Sequence, residues 1–281
     1  MHLLPHAEPL YHEGSSTGVL LCHGFTGSPQ SLRPWAEYLV ARGMTVSLPL
    51  LPGHGTRWED MEPTGWQDWY AMVDRELWRL RERCSTVFVA GLSMGGALAL
   101  RLAARHGDAV RGVMLVNPAM TFPRLEGLVL PVGRFLVRSA PGIVSDIAKG
   151  HVAEVGYARV PTRAAHSLSR FLPMVRGELP QVTQPLLLAH SRMDHVVPPE
   201  DSRIVLERVS SVDVTETILE NSFHVATLDH DAETIFADSV GFVERLTADS
   251  GDIGGTDGDS GIGGSDVGDS GEVRKAARDG V

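Results

Sequence analysis

Gly91-Leu92-Ser93-Met94-Gly95 sets one serine between an apolar β-type run, residues 86–90, and an Ala/Leu-rich helical pattern that begins at Ala97. A G-x-S-x-G turn carries chemistry when a strand feeds it and a helix leaves it, because the serine is then lifted above the sheet edge. Gly91 and Gly95 carry no Cβ and let strand and helix approach closely, and the helix N-terminus favours negative charge at Ser93. The pattern points to nucleophilic attack by Ser93 on an acyl carbonyl. The plainer alternative is a serine that only caps a helix in a Gly-rich turn.

A serine hydroxyl is a weak nucleophile without a base, and this arrangement asks for an acid and a histidine in the order Ser, acid, His. Twelve histidines compete. His224 falls in a loop between the last strand-like run and the last helical pattern, where an imidazole can reach over the sheet. His230 falls within that helical pattern and reads as a surface residue, while His195 follows Asp194 too closely to pair with it. His2, His6 and His12 lack an element that would fix metal geometry and read as solvated. Asp194, just after the apolar run 184–191, stands where the orienting acid belongs, the alternative being an Asp that only caps its loop. Asp229 is a second candidate acid but reads better as a helix N-cap. The expected catalytic set is Ser93, Asp194 and His224. A tetrahedral oxyanion also needs backbone donors, assigned to the N–H groups of Met94 and of Phe25 in the loop His23-Gly24-Phe25-Thr26-Gly27. His23 is expected to brace this loop and not to act as a base.

These side chains need a scaffold. Residues 17–24, 45–51, 86–91, 110–118, 184–191 and 214–220 are short apolar or β-branched runs bounded by Gly, Pro, Asn or Ser, as buried parallel strands are. Helical patterns lie between them. Ser28 and Pro29 offer an N-cap and first helical residue, Leu32, Trp35, Ala36, Leu39 and Val40 repeat at helical spacing, and Gly43 suits the C′ position. Trp66, Trp69 or Tyr70, Val73, Leu77 and Leu80 form a second stripe, read as core. The alternation predicts an α/β fold with a mostly parallel central sheet flanked by helices. Residues 119–178 break it, with amphipathic pieces split by Pro and Gly and no convincing strand, and are expected to form a small helical cap over the C-terminal edge of the sheet. The expected division is a core of residues 1–118 and 179–247, the cap between them, and a tail of residues 248–281.

A formal charge of −10 with no Lys/Arg cluster argues against a nucleic-acid partner. Two cysteines, Cys22 and Cys84, read as buried thiols in a reducing compartment, and no apolar run reaches 18 residues, so the expectation is a cytoplasmic, non-spanning protein. Residues 249–281 hold eight acidic and three basic side chains, half of the formal charge, with Asp-Ser-Gly recurring every ten residues. This composition predicts disorder. The repeat lacks the spacing of a Ca²⁺-binding β-helix.

The stretches at 20–39, 51–62, 88–100, 194–199 and 221–231 together resemble the bacterial monoacylglycerol lipases, relatives of small bacterial carboxylesterases within the α/β-hydrolase fold. The resemblance spans roughly residues 5–246. It implies hydrolysis of monoacylglycerols to glycerol and fatty acid through an acyl-serine, without a cofactor or metal, by the residues derived above. It further implies that Glu154, three residues before Tyr157, binds the glycerol head, against the reading of a solvated helix glutamate. A general carboxylesterase shares all this chemistry, and an acyltransferase or a non-catalytic binding module are more distant readings. Phe135, Leu136, Ile143 and Val144 are candidates to line an acyl pocket or touch a membrane surface transiently, although burial against the core is the simpler fate for most of them.

Overall fold

A computed structural model describes residues 2–122, 130–131, 135–143 and 145–248. Val144, a candidate for the acyl pocket or a membrane contact, and the tail from Asp249 onward, expected to be disordered, lie outside the described residues.

All six expected strands form. They are β2 (Thr17–Cys22), β3 (Thr45–Leu48), β4 (Thr86–Leu92), β5 (Gly112–Val116), β8 (Leu186–Ser191) and β9 (Val214–Leu219), preceded by a short β1 (Leu10–His12). The seven strands lie in the order β1-β3-β2-β4-β5-β8-β9, with β1 antiparallel to β3 and every other neighbour parallel. Parallel strands buried on both faces need apolar side chains at odd and even positions alike. β4 shows this: Val87 and Val89 enter the core on one face, Phe88, Ala90 and Leu92 the core on the other. Each such fully buried aliphatic stabilises by roughly 1.5–3 kcal/mol.

Helices α1 (Arg33–Ala41), α2 (Trp58–Met61), α3 (Trp66–Arg81) and α4 (Met94–His106) connect the first strands. Gly43, at φ 78°, closes α1 as expected, with its N–H on the Val40 carbonyl and the Met44 N–H on the Leu39 carbonyl. Ser28 departs from expectation. Residues Pro29–Leu32 form a 3₁₀ turn before α1, and the Ser28 hydroxyl caps nothing; it donates to the Val155 carbonyl at 2.7 Å. The stripe on α3 is core, with Trp69, Val73, Leu77 and Leu80 buried.

Between β5 and β8 the described residues are not purely helical. Ser139–Pro141 (β6) and Arg159–Pro161 (β7) pair as a two-stranded antiparallel ladder, followed by α5 (Thr162–Glu178). Proline at the ladder's ends hides it from pattern reading. Helix α5 is fastened to α3 by Trp66 stacked on Phe171, centroids 5.4 Å apart. Helices α6 (Glu200–Arg208) and α7 (Ala232–Ala248) complete the core. Cys22 and Cys84 are buried free thiols, and no described helix is long and apolar enough to cross a membrane. Phe135, Leu136 and Ile143 are not buried against the core; they are 69%, 79% and 64% exposed.

The glycines differ sharply in what they support. A Cβ on Gly95 would overlap the Cys22 carbonyl oxygen, whereas one on the exposed helical Gly241 would meet nothing within 4 Å. Gly241→Ala should therefore raise unfolding free energy by about 0.5–1 kcal/mol through helix propensity. Gly95→Ala should lower it by several-fold more, both read from urea denaturation midpoints.

Candidate active site

Ser93 links β4 to α4 with φ 57° and ψ −121°, a conformation an L-residue holds only when its surroundings enforce it. The enforcement is visible. Gly91 and Gly95 pack so closely that a Cβ on Gly91 would overlap the Gly95 carbonyl, the Ser93 N–H donates to the Val116 carbonyl at 3.0 Å, and the Ser93 carbonyl accepts the N–H of Gly96 and Ala119. Ser93 sits at the N-cap position of α4, yet its side chain makes no capping bond. The hydroxyl is thus not spent on the helix, which removes the reason for the plainer reading.

The loop after β2 runs beside it: a Cβ on Gly24 would stand 3.6 Å from the Ser93 Cβ. His23 braces this loop as expected. Its Nδ1 donates to the Gly24 carbonyl at 2.9 Å and its Nε2 accepts the Leu51 N–H at 3.1 Å, which fixes the tautomer. Full burial, and after it the neighbouring His54, push the His23 pKa down to about 3. A neutral ring is required to accept at Nε2. Phe25 packs edge-on against Trp69, and Thr26, at φ 61°, offers its carbonyl to the Tyr157 N–H. Met94 is the first helical residue, whose N–H has no partner within the helix.

Asp194 and His224 come together from the loops after β8 and β9. Asp194 Oδ2 accepts from His224 Nδ1 at 2.7 Å, while Oδ1 accepts the N–H of Val196 and Val197, both at 2.8 Å. One oxygen thus holds the His224 imidazole while the other caps the loop. A carboxylate only accepts, so His224 carries its proton on Nδ1 and leaves Nε2 as a lone-pair acceptor. The carboxylate is 2% exposed and the imidazole 9%.

Ser93 and His224 hang from one point, the end of β5. Ser93 bonds to Val116, and the next residue, Asn117, donates from Nδ2 to the His224 carbonyl at 2.7 Å and accepts the Ser191 N–H on Oδ1 at 2.7 Å. Asn117 holds φ 43°, which Asn tolerates better than most residues. Sequence reasoning missed it. The available signal was an Asn-Pro pair ending a buried strand.

Glu154 reaches the same site. Its Oε1 lies where a Cβ on Gly27 would come within 2.6 Å. Desolvation raises its carboxyl above the ordinary range, opposed by an electrostatic contribution from the nearby His224 and by a hydrogen bond from the Ser145 backbone. It is not a solvated helix residue.

The remaining candidates lie elsewhere. Asp229 does not cap α7; its carboxylate accepts the N–H of Ala148, Lys149, Phe223 and His230. His230 is exposed in the turn before α7, not within it. His195 pairs with Asp146, Nδ1 to Oδ1 at 2.9 Å.

Unfolding lets His23 and His54, held down to about 3 and about 4 mainly by burial, take up protons near 6.5. The unfolded chain then binds more protons than the native one between those values, so stability falls as pH drops from about 6.5 toward 4. His54→Asn, with one such group fewer, should show a shallower loss than wild type between pH 7 and pH 4.5 in urea denaturation. Parallel slopes would rule this account out.

Three likenesses place the molecule among known proteins. The thermostable monoacylglycerol lipase of Bacillus sp. (strain H-257) is 42% identical over 243 residues, 86% of this chain and 96% of that protein. The carboxylesterase of Bacillus subtilis (strain 168) is 27% identical over 85% of this chain and 97% of that protein. A solved structure from work on the metagenome-derived lipolytic enzymes LipS and LipT superposes with a TM-score of 0.84 at 40% identity, covering 87% of this chain and all of that one. The family model described as serine aminopeptidase, S33, matches residues 15–231, and the chain belongs to this hydrolase family of the α/β-hydrolase fold.

Proposed function

We propose that the protein hydrolyses monoacylglycerols through an acyl-enzyme on Ser93. His224 Nε2 takes the Ser93 proton as Oγ attacks the ester carbonyl, and the tetrahedral oxyanion is met by the N–H groups of Phe25 and Met94. Collapse transfers the proton from His224 to the departing glycerol oxygen. Water then repeats the sequence, with His224 as base, and releases the fatty acid. Asp194 holds the tautomer and stabilises the imidazolium. Each oxyanion donor is worth roughly 3 kcal/mol of barrier.

The observation that carries the substrate class is the carboxylate of Glu154, set against the Gly27 backbone in the loop after β2, close enough to His224 for the two to interact electrostatically. The glycerol oxygen must leave beside His224, and its free hydroxyls are donors that a carboxylate accepts. The described residues between β5 and β8 act as the cap over this site, and the exposed Phe135, Leu136 and Ile143 meet the surface of a lipid aggregate transiently. A general carboxylesterase is the second reading, favoured by the relative of that name.

The test is kcat/KM on 1-monooleoylglycerol beside p-nitrophenyl butyrate. Ser93→Ala should abolish both activities to trace level. Glu154→Ala should lose about tenfold or more on the monoglyceride, as truncating one partner of a charge-assisted hydrogen bond does, and change little on the butyrate. Wild-type preference for the butyrate, unaltered in Glu154→Ala, would make the protein a general carboxylesterase.

A further inference from the structure

The inserted segment does more than cover the site. From Ser145 to Tyr157 it is bonded at one end to the loop after β2 and at the other to the loops that bear Asp194 and His224. Thr26 accepts the Tyr157 N–H, Gln30 Oε1 accepts the Val155 N–H, and Asp229 of the core accepts two N–H groups of residues 148–149. Asp146 does the reverse, sending a carboxylate from the insert into the core loops.

That carboxylate is 12% exposed and has its oxygens committed. Oδ2 accepts the His224 N–H at 3.1 Å and the His195 N–H at 3.3 Å, and Oδ1 pairs with His195 Nδ1 at 2.9 Å. The Asp146 backbone carbonyl accepts the Val225 N–H at 3.0 Å. On the opposite side, the His224 carbonyl is held by Asn117. The peptide groups around His224 are gripped between an amide of the core and a carboxylate of the insert. The same carboxylate also holds the residue next to Asp194.

We infer that Asp146 is a positioning residue for the hydrolytic reaction, fixing the separation of the Asp194 and His224 loops through their backbones. This rests on the proposed roles of Ser93, Asp194 and His224. Asp146 touches neither the hydroxyl nor the acyl group. A displacement of about 1 Å in such a pair costs on the order of a hundredfold in rate. What matters is the place of the acceptor oxygen and not its charge, because the groups it holds at Oδ2 are neutral peptide N–H donors.

Three substitutions separate position from charge. Asp146→Asn keeps an acceptor oxygen at the same reach. Asp146→Glu keeps the charge and moves the acceptor by one methylene. Asp146→Ala removes it. Turnover is measured on p-nitrophenyl acetate and on 1-monooleoylglycerol, with Ser93→Ala alongside and melting temperatures as the folding control. Asp146→Glu and Asp146→Ala should lose about tenfold to a hundredfold in kcat on both substrates, with KM within about twofold, and Asp146→Asn should retain most of the wild-type kcat. The Asn and Glu variants carry the test if the Ala variant does not fold. An effect confined to KM for the monoglyceride would make Asp146 part of the substrate wall and overturn the inference, as would retention of kcat by Glu with loss in Asn. Activity surviving in Ser93→Ala would instead remove the nucleophile on which the inference rests.

Discussion

Ser93 occupies a backbone conformation that costs about 1–3 kcal/mol for a residue with a side chain, and the architecture around it exists to hold it there. The means is close approach. Gly91 on β4 faces Gly95 on α4, and Gly95 in turn lies against the Cys22 and His23 carbonyls at the end of β2. Three chain segments therefore converge with no intervening side chains, and the approach is possible only because β2 and β4 pair in register, Cys22 opposite Gly91. One contact brings the loop after β2 beside the serine and fixes where the helix N-terminus points. The oxyanion donors proposed for Phe25 and Met94 are consequences of the same packing that strains Ser93.

A second constraint acts on the loops at the far side of the site. Beyond the packing of Val197, Val225 and Leu228, carboxylates tie these loops to one another and to the insert. Asp194 divides its oxygens between an imidazole and two backbone N–H groups, Asp146 between two loops, and Asp229 between the insert and the His224 loop. Asp201 does the same at the start of the insert, taking the N–H groups of Met120 and Thr121. Burying an ionised carboxylate is costly unless its lone pairs are filled, so each loop is held to the arrangement that fills them.

Local chemistry was readable where it rests on neighbours in sequence. The six core strands are continuous apolar runs, and the turn at Ser93 announces itself by glycine spacing. β1 was missed because Leu10-Tyr11-His12 is short and partly exposed, and β6 with β7 because proline sits in both and the paired residues, Ser139 with Pro161 and Pro141 with Arg159, are far apart in the chain. Ser28 looked like a helix cap by its neighbours, but its hydroxyl is claimed by Val155, 127 positions away. Asp146 and His224 are 78 positions apart, and nothing local to either marks the bond. Asp229 failed as an N-cap for the same reason: its partners at 148–149 lie in the insert.

The insert is where pattern reading fails, because its bonds run to distant parts of the chain. Residues 145–157 bring Asp146 to the acid and base loops, Glu154 to Gly27, and Tyr157 to Thr26, with the Tyr157 hydroxyl donating to the Gly53 carbonyl and accepting the Thr56 N–H. A strap bonded at both ends to the loops flanking Ser93 cannot be displaced without disturbing them. The contact of Glu154 with Gly27 and the bonds of Asp146 to the His195 and His224 backbones are therefore made by one piece of chain. In the proposed function a change at Glu154 acts on substrate choice through its side chain, while the bonds of the strap to the Asp194 and His224 loops are made by Asp146 and by backbone groups.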